Sequence, residues 1–311
     1  MKKNRYVIFG TGALGIQFAK TLDSSENEII MVNRSGIWPD SSIKAVVKKV
    51  DSMNGKEVSE VLKDCTVAIN CIGLPYPEWD QLVPITKNII HACKENNTLL
   101  AYVDNIYAYG EVEGELFENT PCNPKSRKGK IRKEIADILL EEATKQKLKM
   151  VIGRSSDFYG PYEEKSSVTG VQVVGNVLKN KKAMYIGRTD MLRSISYIED
   201  VVKAMKILID DSSSHNQIWH LPNNSPLTLD DTIDIMSKIL NKEINSSKLP
   251  YGLLTFLSLF NRDMREMKEL FYLNSKPLIV NDQKFKNKYQ DFKVTDYYKG
   301  IDSTISWYQH K

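Results

Sequence analysis

Gly10, Gly12 and Gly15 are spaced G-x-G-x-x-G directly after Tyr6-Val7-Ile8-Phe9, a short apolar run rich in β-branched and aromatic residues. They stand directly before residues 13–22, which read as a helix. This order constrains the chain more than any other stretch. The first glycine permits a tight turn, the second lets a diphosphate approach the backbone, and the third lets helix and strand pack closely. The helix start then presents unpaired N–H groups to an anion. Gly10-Thr11-Gly12-Ala13-Leu14-Gly15 is therefore the expected cradle for a dinucleotide, with an ordinary structural turn as the alternative.

The rest of the first half repeats strand and helix. Residues 28–32, 43–50, 66–70, 99–103 and 150–154 read as strands, and 56–62, 79–96 and 129–145 as helices. Leu74-Pro75-Tyr76-Pro77 is expected not to be helical because of its prolines. This alternation predicts an α/β fold with a doubly wound parallel sheet. Later segments are less regular: 168–179 as helix, 183–186 as strand, 198–209 as helix and 217–221 as strand. Residues 228–240, 251–260, 263–272 and 294–308 read as helices, so the C-terminal part is expected to be smaller and mostly helical. The apolar stretch 251–260, which carries Thr255 and Ser258, fits a buried or substrate-lining helix.

Composition excludes several classes. The net charge, 43 basic minus 39 acidic residues, is +4 and spread along the chain, and the densest basic run, 125–133, is too short and mixed to indicate nucleic acid. No stretch is long and apolar enough to span a bilayer, so no membrane partner is expected. Cys65, Cys71, Cys93 and Cys122 show no C-x-x-C spacing and suggest free thiols in the cytoplasm. The four histidines are scattered, and no metal is expected.

Two strand ends carry further candidate residues. Where the second strand ends, a carboxylate would hold the adenosine ribose hydroxyls, but the residues are Asn33-Arg34-Ser35. With no carboxylate to repel a 2′-phosphate and a planar guanidinium to receive one, NADP is favoured and NAD is the alternative. Arg34 stacked on the adenine or turned to solvent is the other reading. Asp51 ends the third strand, where an adenine contact would sit, and Cys71 and Gly73 follow the fourth, with Gly73 permitting close backbone approach. After the fifth strand comes Asp104-Asn105-Ile106-Tyr107-Ala108-Tyr109-Gly110, where alternation places Asn105, Tyr107 and Tyr109 on one side.

Taken together, Gly10/Gly12/Gly15, Tyr107-Ala108-Tyr109-Gly110, Glu118 with Pro121 and Pro124, 154–161 and 193–200 resemble the extended and atypical short-chain dehydrogenase/reductases, the NAD-dependent epimerase/dehydratases. The resemblance implies a dinucleotide-binding Rossmann domain over residues 1–160, rejoined by about 195–220. It implies a substrate-binding part from 161–194 and 221–311. It also implies nicotinamide- or substrate-flanking positions for Ser155, Ser156 and Phe158, and a homodimer through helices 79–96 and 129–145. The chain departs from that pattern at the catalytic residues. The serine position reads Asn105, and the Tyr-x-x-x-Lys positions read Lys128 and Arg132. Tyr272 with Lys276 and Tyr289 with Lys293 have the spacing but lie far from that helix, and are read as chance.

Arg132 can still bond the ribose as a lysine would, and Lys128 or Lys130 can meet a phosphate. Tyr107 is the candidate proton donor, its phenol activated by Arg132 or Lys128, with Asn105 orienting the carbonyl; packing is the competing role for Tyr107. Arg154 is expected to pair with a nearby carboxylate, and Arg193 either holds a substrate anion or lies on the surface. The leading expectation is an NADP-dependent oxidoreductase or epimerase/dehydratase acting on a small carbonyl or sugar-like substrate. The alternative is a dinucleotide-binding sensor or regulator without catalysis. A third, ketopantoate-reductase-like reading rests on the glycine stretch alone, and Tyr109-Gly110 and Gly160-Pro161 speak against it.

Overall fold

Strands buried on both faces read as unbroken apolar runs, and the computed structural model, which describes residues 4–38, 45–166 and 168–311, has them where those runs lie. The chain divides into two compact units. The first comprises residues up to Ala108 with Lys128–Arg154 and Val202–Trp219. Its seven strands are β1 (Asn4–Phe9), β2 (Asn27–Asn33), β3 (Val46–Lys49), β4 (Val67–Asn70), β5 (Leu99–Asn105), β6 (Met150–Ser155) and β7 (Ile218–His220). They form one sheet in the order β7-β6-β5-β4-β1-β2-β3. The pairs β1/β2, β2/β3, β1/β4 and β4/β5 are parallel. Strand order reverses beside β1, so the segments after β1 and β4 border the crevice where sheets of this kind bind ligands.

The helices of this unit are α1 (Ala13–Leu22), α2 (Gly55–Val61), α3 (Leu82–Asn96), α4 (Arg127–Thr144) and α5 (Ile198–Asp210). Val7 and Phe9 of β1 join α2, α3 and α4 residues such as Val58, Ile89 and Ile135 in one core, all inaccessible to solvent. The bounds of α1 are those expected. Ile43 and Lys44, expected in the third strand, lie outside the described residues.

Two expectations are corrected. Tyr76 and Pro77, expected not to be helical, open a 3-10 turn, Tyr76–Gln81, with Pro75 as its N-cap. Proline is excluded from helix interiors but not from a first turn, whose N–H groups have no intrahelical partner. Past Asn105 the strand ends in a 3-10 turn, Ile106–Tyr109, so alternation no longer applies. Tyr107 is half-buried while Tyr109 is fully buried.

The second unit comprises Tyr109–Arg127, Ser155–Val201 and His220–Lys311. Three two-stranded parallel ladders run through it: Asp157–Tyr159 with Ile195–Tyr197, Ala183–Ile186 with Ser246–Leu249, and Glu115–Leu116 with Ile279–Val280. Its core gathers Tyr159, Val174, Tyr185, Leu229, Met236 and Ile301. Helix Leu229–Leu240 starts with a reciprocal capping box between Thr228 and Asp231. The segment expected as a helix over 168–179 is a π-helical turn, Val171–Gly175, followed by Asn176–Leu178. A helix at Gln283–Lys288 was not anticipated. Helix Tyr251–Leu257 is not the buried element expected, because most of its large apolar side chains are exposed.

Candidate active site and dinucleotide cradle

Gly10 has φ +110°, and a Cβ there would come within 2.8 Å of the Cys71 carbonyl oxygen at the end of β4. Only glycine satisfies both conditions. A Cβ on Gly15 would sit 2.0 Å from the Gly10 oxygen, so α1 can approach β1 only without one. Gly12 differs, since a Cβ there would meet nothing within 4 Å. Gly12 is also the N-cap of α1, where no side chain caps the helix and the first turn carries no acid. The helix start thus has open space beside Gly12 and unpaired N–H groups without a competing acid, which is what an anion such as a diphosphate needs. Gly73, after β4, is likewise open. The Cys71 thiol is pushed up to about 12 by burial and stays protonated.

At the end of β2, the Asn33 carboxamide builds its own loop. Its nitrogen donates to Thr11 Oγ1 (3.1 Å) and to the Ile37 oxygen (2.8 Å). Its oxygen accepts from the Gly36 amide (2.6 Å) and the Ser35 hydroxyl (3.1 Å). With four partners in place, Asn33 holds the loop after β2 together, and Ser35 is tied into the same turn. Arg34 projects outward and meets Glu78 at 3.7 Å. Asp51, at the carboxyl end of the sheet, accepts from the Met53 amide (3.0 Å) and donates its own amide to Glu57 (2.8 Å), which starts α2.

Two of the cations of α4 are buried, while Lys130 is exposed. Lys128 and Arg132 lie one helical turn apart, and both are buried. The Lys128 ammonium sits 4.7 Å from the centre of the Tyr76 ring, and the Arg132 guanidinium carbon 4.7 Å from that of Trp79. Tyr107 stacks on Trp79 at 6.0 Å, and its hydroxyl is 3.4 Å from that of Tyr76. Trp79 is anchored by its ring N–H, which donates to the Leu74 oxygen at 2.9 Å. The Asn105 side-chain oxygen accepts from the Tyr107 amide at 3.0 Å, leaving its amide nitrogen without a hydrogen bond among the described residues.

Beneath this cluster is a buried charge network. Asp104, whose side chain is inaccessible, receives Arg154 Nε at 2.9 Å and lies 3.6 Å from Arg132. Arg132 also donates to the Tyr102 hydroxyl at 2.7 Å. Burial pushes Tyr102 up to about 12, so it is a neutral acceptor at neutral pH. Burial disfavours the charge on Arg132, but Tyr102 and Asp104 outweigh it and raise its pKa. The carboxylate expected beside Arg154 is thus Asp104, which also orients Arg132.

The remaining expected residues belong to the second unit. Ser155 is buried with no partner for its hydroxyl among the described residues, and Ser156 bonds Ser196 at 3.0 Å. Arg193 is buried, contrary to its surface alternative, between Asp157 and Asn274, each 2.9 Å away. The Tyr109 hydroxyl is 2.6 Å from His220 Nε2, while His220 Nδ1 is 2.7 Å from the Asn281 oxygen. A carbonyl only accepts, so Nδ1 donates to it and Tyr109 donates to Nε2. That commits Tyr109 to packing.

The glycine turn and the strand order agree with a comparison against known families. Residues 6–221 match the model of the NAD dependent epimerase/dehydratase family. The chain belongs to that family. Among curated proteins it is 23% identical over 181 residues to the N-acetyl-alpha-D-glucosaminyl-diphospho-ditrans,octacis-undecaprenol 4-epimerase of Escherichia coli. That match covers 56% of this chain and 53%, about half, of the relative's length. Solved structures match over nearly the whole chain. UDP-glucuronic acid 4-epimerase from Bacillus cereus, in complex with NAD, has a TM-score of 0.80 at 15% identity, covering 98% of this chain and 99% of that one. dTDP-glucose 4,6-dehydratase from Bacillus anthracis, also with NAD, has 0.81 at 18%, covering 99% and 97%. UDP-N-acetylglucosamine 4-epimerase from Methanobrevibacter ruminantium has 0.81 at 17%, covering 100% and 99%. At such identities these structures speak for the fold.

Within this epimerase/dehydratase fold, sequence reasoning missed Tyr76, Glu78 and Trp79, and gave Asp104 no role. One signal was available for the first three. They follow β4 at the carboxyl edge of a parallel sheet, beside the switch in strand order, where binding residues concentrate.

Proposed function

We propose that the chain is a nicotinamide-dinucleotide-dependent epimerase/dehydratase or oxidoreductase acting on a sugar carried on a diphosphate, with Tyr107 moving the substrate proton. The observation that carries this reading is the pairing of Lys128 and Arg132, one turn apart and buried against Tyr76, Trp79 and Tyr107. Sugars on a nucleoside or polyprenol diphosphate are the substrates that the similar proteins' names give, which supports the substrate class.

The nicotinamide, when bound, supplies the acceptor and donor of the substrate's hydrogen. The protein's residues manage the proton. The Tyr107 hydroxyl takes it from, or returns it to, the reacting sugar oxygen, and Tyr76, 3.4 Å away, extends the path. Arg132 carries a permanent positive charge near Tyr107 that favours the phenolate. The Asn105 amide nitrogen donates to the reacting oxygen, and Lys128 offers a second cation. Gly12 and the start of α1 hold the diphosphate of the dinucleotide, and Arg132 reaches its ribose. Asp51 meets the adenine.

NADP is our preferred nucleotide, because Arg34 is the residue at the end of β2 able to take a 2′-phosphate and no carboxylate stands at 33–35. The four thiols form no disulfide, which supports a reducing, cytoplasmic setting. The missing Tyr-x-x-x-Lys pair, with Arg132 engaged by Tyr102 and Asp104, favours one second reading: a protein that binds the dinucleotide as a sensor without turning over.

Titration with NADPH and NADH, then a panel of nucleotide- and lipid-linked sugars, tests both readings. An active enzyme interconverts a sugar or consumes NADPH with one of them, and Tyr107→Phe lowers turnover about 100-fold or more. Near-normal turnover by that variant overturns the assignment of Tyr107. Tight NADPH binding with no reaction across the panel selects the sensor.

A further inference from the structure

The ion pair of Arg34 and Glu78 joins two segments that flank the dinucleotide crevice. Arg34 follows β2, and Glu78 lies in the 3-10 turn after β4. In the sheet, β2 and β4 are the two neighbours of β1. A contact between the segments after them therefore crosses the carboxyl end of β1, where the glycine turn begins. The backbone on both sides is held. Asn33 ties its loop to Thr11 and to the Gly36 amide, and Gly36 turns the chain at φ +72°. Opposite, the Glu78 amide donates to the Pro75 oxygen at 2.8 Å, and the buried Trp79 beside it is anchored to the Leu74 oxygen.

The two side chains are less confined, that of Arg34 being 66% exposed and that of Glu78 38%. A pair this exposed, at 3.7 Å, adds little to stability and exchanges readily for another partner. Its members suit different nucleotides. A guanidinium receives a 2′-phosphate, which carries nearly two negative charges and outcompetes a carboxylate. A carboxylate accepts from a free 2′-hydroxyl, the role of an acid at the end of the second strand, where this chain has Asn33-Arg34-Ser35. The acids after β3 are already engaged. Asp51 accepts the Met53 amide, and Glu57 accepts the Asp51 amide and the Asn54 side chain.

We infer that Glu78 is a specificity-determining residue that stands in for the carboxylate missing after β2. It accepts the 2′-hydroxyl of NADH, and it competes with the 2′-phosphate of NADPH for Arg34. The inference deepens the nucleotide reading proposed above and rests on it. Arg34 alone would select NADPH; the carboxylate reaching it from across the crevice moderates that choice and gives NADH a partner of its own. Selection is thus divided between the ends of two strands, whereas an acid after β2 would place it on one.

The test is calorimetric titration of the full chain with NADPH and with NADH, which needs no substrate and no turnover. Glu78→Gln is expected to tighten NADPH about 3-fold and to weaken NADH about 3-fold, moving the ratio of the two dissociation constants about 10-fold toward NADPH. Glu78→Lys moves the ratio further the same way, and Arg34→Ala moves it the opposite way. Thermal unfolding checks that each variant folds as the wild type does. A ratio unchanged within about 2-fold in Glu78→Gln, while both nucleotides bind, overturns the inference and leaves the proposed function standing. Equal weakening of both nucleotides also overturns it, because Glu78 then only shapes its turn. Wild-type protein that binds NADPH but not NADH overturns it as well, and protein that binds neither overturns the proposed function with it.

Discussion

Asp104→Asn removes one charge and almost no volume from a buried part of the first unit, and its cost follows from the geometry. The Asp104 carboxylate stands between Arg154 Nε at 2.9 Å and Arg132 at 3.6 Å, with all three side chains at most 9% exposed. At an effective dielectric of about 20 these contacts give gross attractions of about 6 and about 5 kcal/mol. Dehydration of the three ions offsets most of that in the native protein. In the variant the dehydration remains and the attraction of Asp104 is lost from both buried guanidinium groups. The expected net loss is about 3–5 kcal/mol in urea unfolding, or roughly 10 °C in thermal midpoint.

The companion variant Arg154→Met keeps Asp104 paired with Arg132 and should lose less. Arg132 also leans on the Trp79 face and the Tyr102 hydroxyl. In Asp104→Asn it is therefore expected to shift, and NADPH affinity to fall along with stability. A loss below about 1 kcal/mol, or an equal loss in Arg154→Met, would refute the view that Asp104 is the counter-ion of both arginines.

Two neighbouring glycines should part company. Gly12→Val folds normally yet weakens NADPH binding at least about 10-fold by filling the cradle, whereas Gly15→Ala forces a 2.0 Å clash with the Gly10 oxygen and costs about 1–3 kcal/mol in urea unfolding. Arg34→Ala is expected to weaken NADPH about 10-fold and NADH less than about 2-fold, and Glu78→Gln, which frees Arg34, to tighten NADPH a few-fold in the same titrations. Alkaline pH should destabilise the fold. The folded pKa of Tyr102 is raised from 10.0 to about 12, so its contribution is whole below pH 10 and is lost as pH climbs through about 12. That contribution is about 3 kcal/mol, of which about 2 is expected to be lost between about pH 9 and about pH 11.5 in urea unfolding of wild type compared with Tyr102→Phe.

The sheet was legible because parallel strands buried on both faces leave unbroken apolar runs, and the turn after β1 because its glycines answer local backbone demands. Gly10 needs its positive φ, and Gly15 has no room for a Cβ. Such constraints act within a few residues, so spacing alone reveals them. Residues 251–260 show the opposite limit. An apolar helix reads the same whether it faces a core or the outside, and only the fold reveals that Phe256 and Phe260 are left uncovered. Period two predicted one face for Asn105, Tyr107 and Tyr109, but the strand ends at Asn105, and a 3-10 turn carries the other two.

The departure at Lys128 and Arg132 could be read because a helical i, i+4 pair is also a local pattern. The groups those cations meet could not, since Tyr76 and Trp79 are about 50 residues away in sequence and reach α4 only through the packing of β4 and β5. This bears on mechanism. A tyrosine and lysine on one helix carry acid and cation together. Here α4 supplies two cations, and the phenols come from the segments after β4 and β5. Proton transfer, if it runs through Tyr107, then depends on how the ends of two strands are held against one helix. Trp79, stacked on Tyr107 and lying against Arg132, is the side chain that holds them.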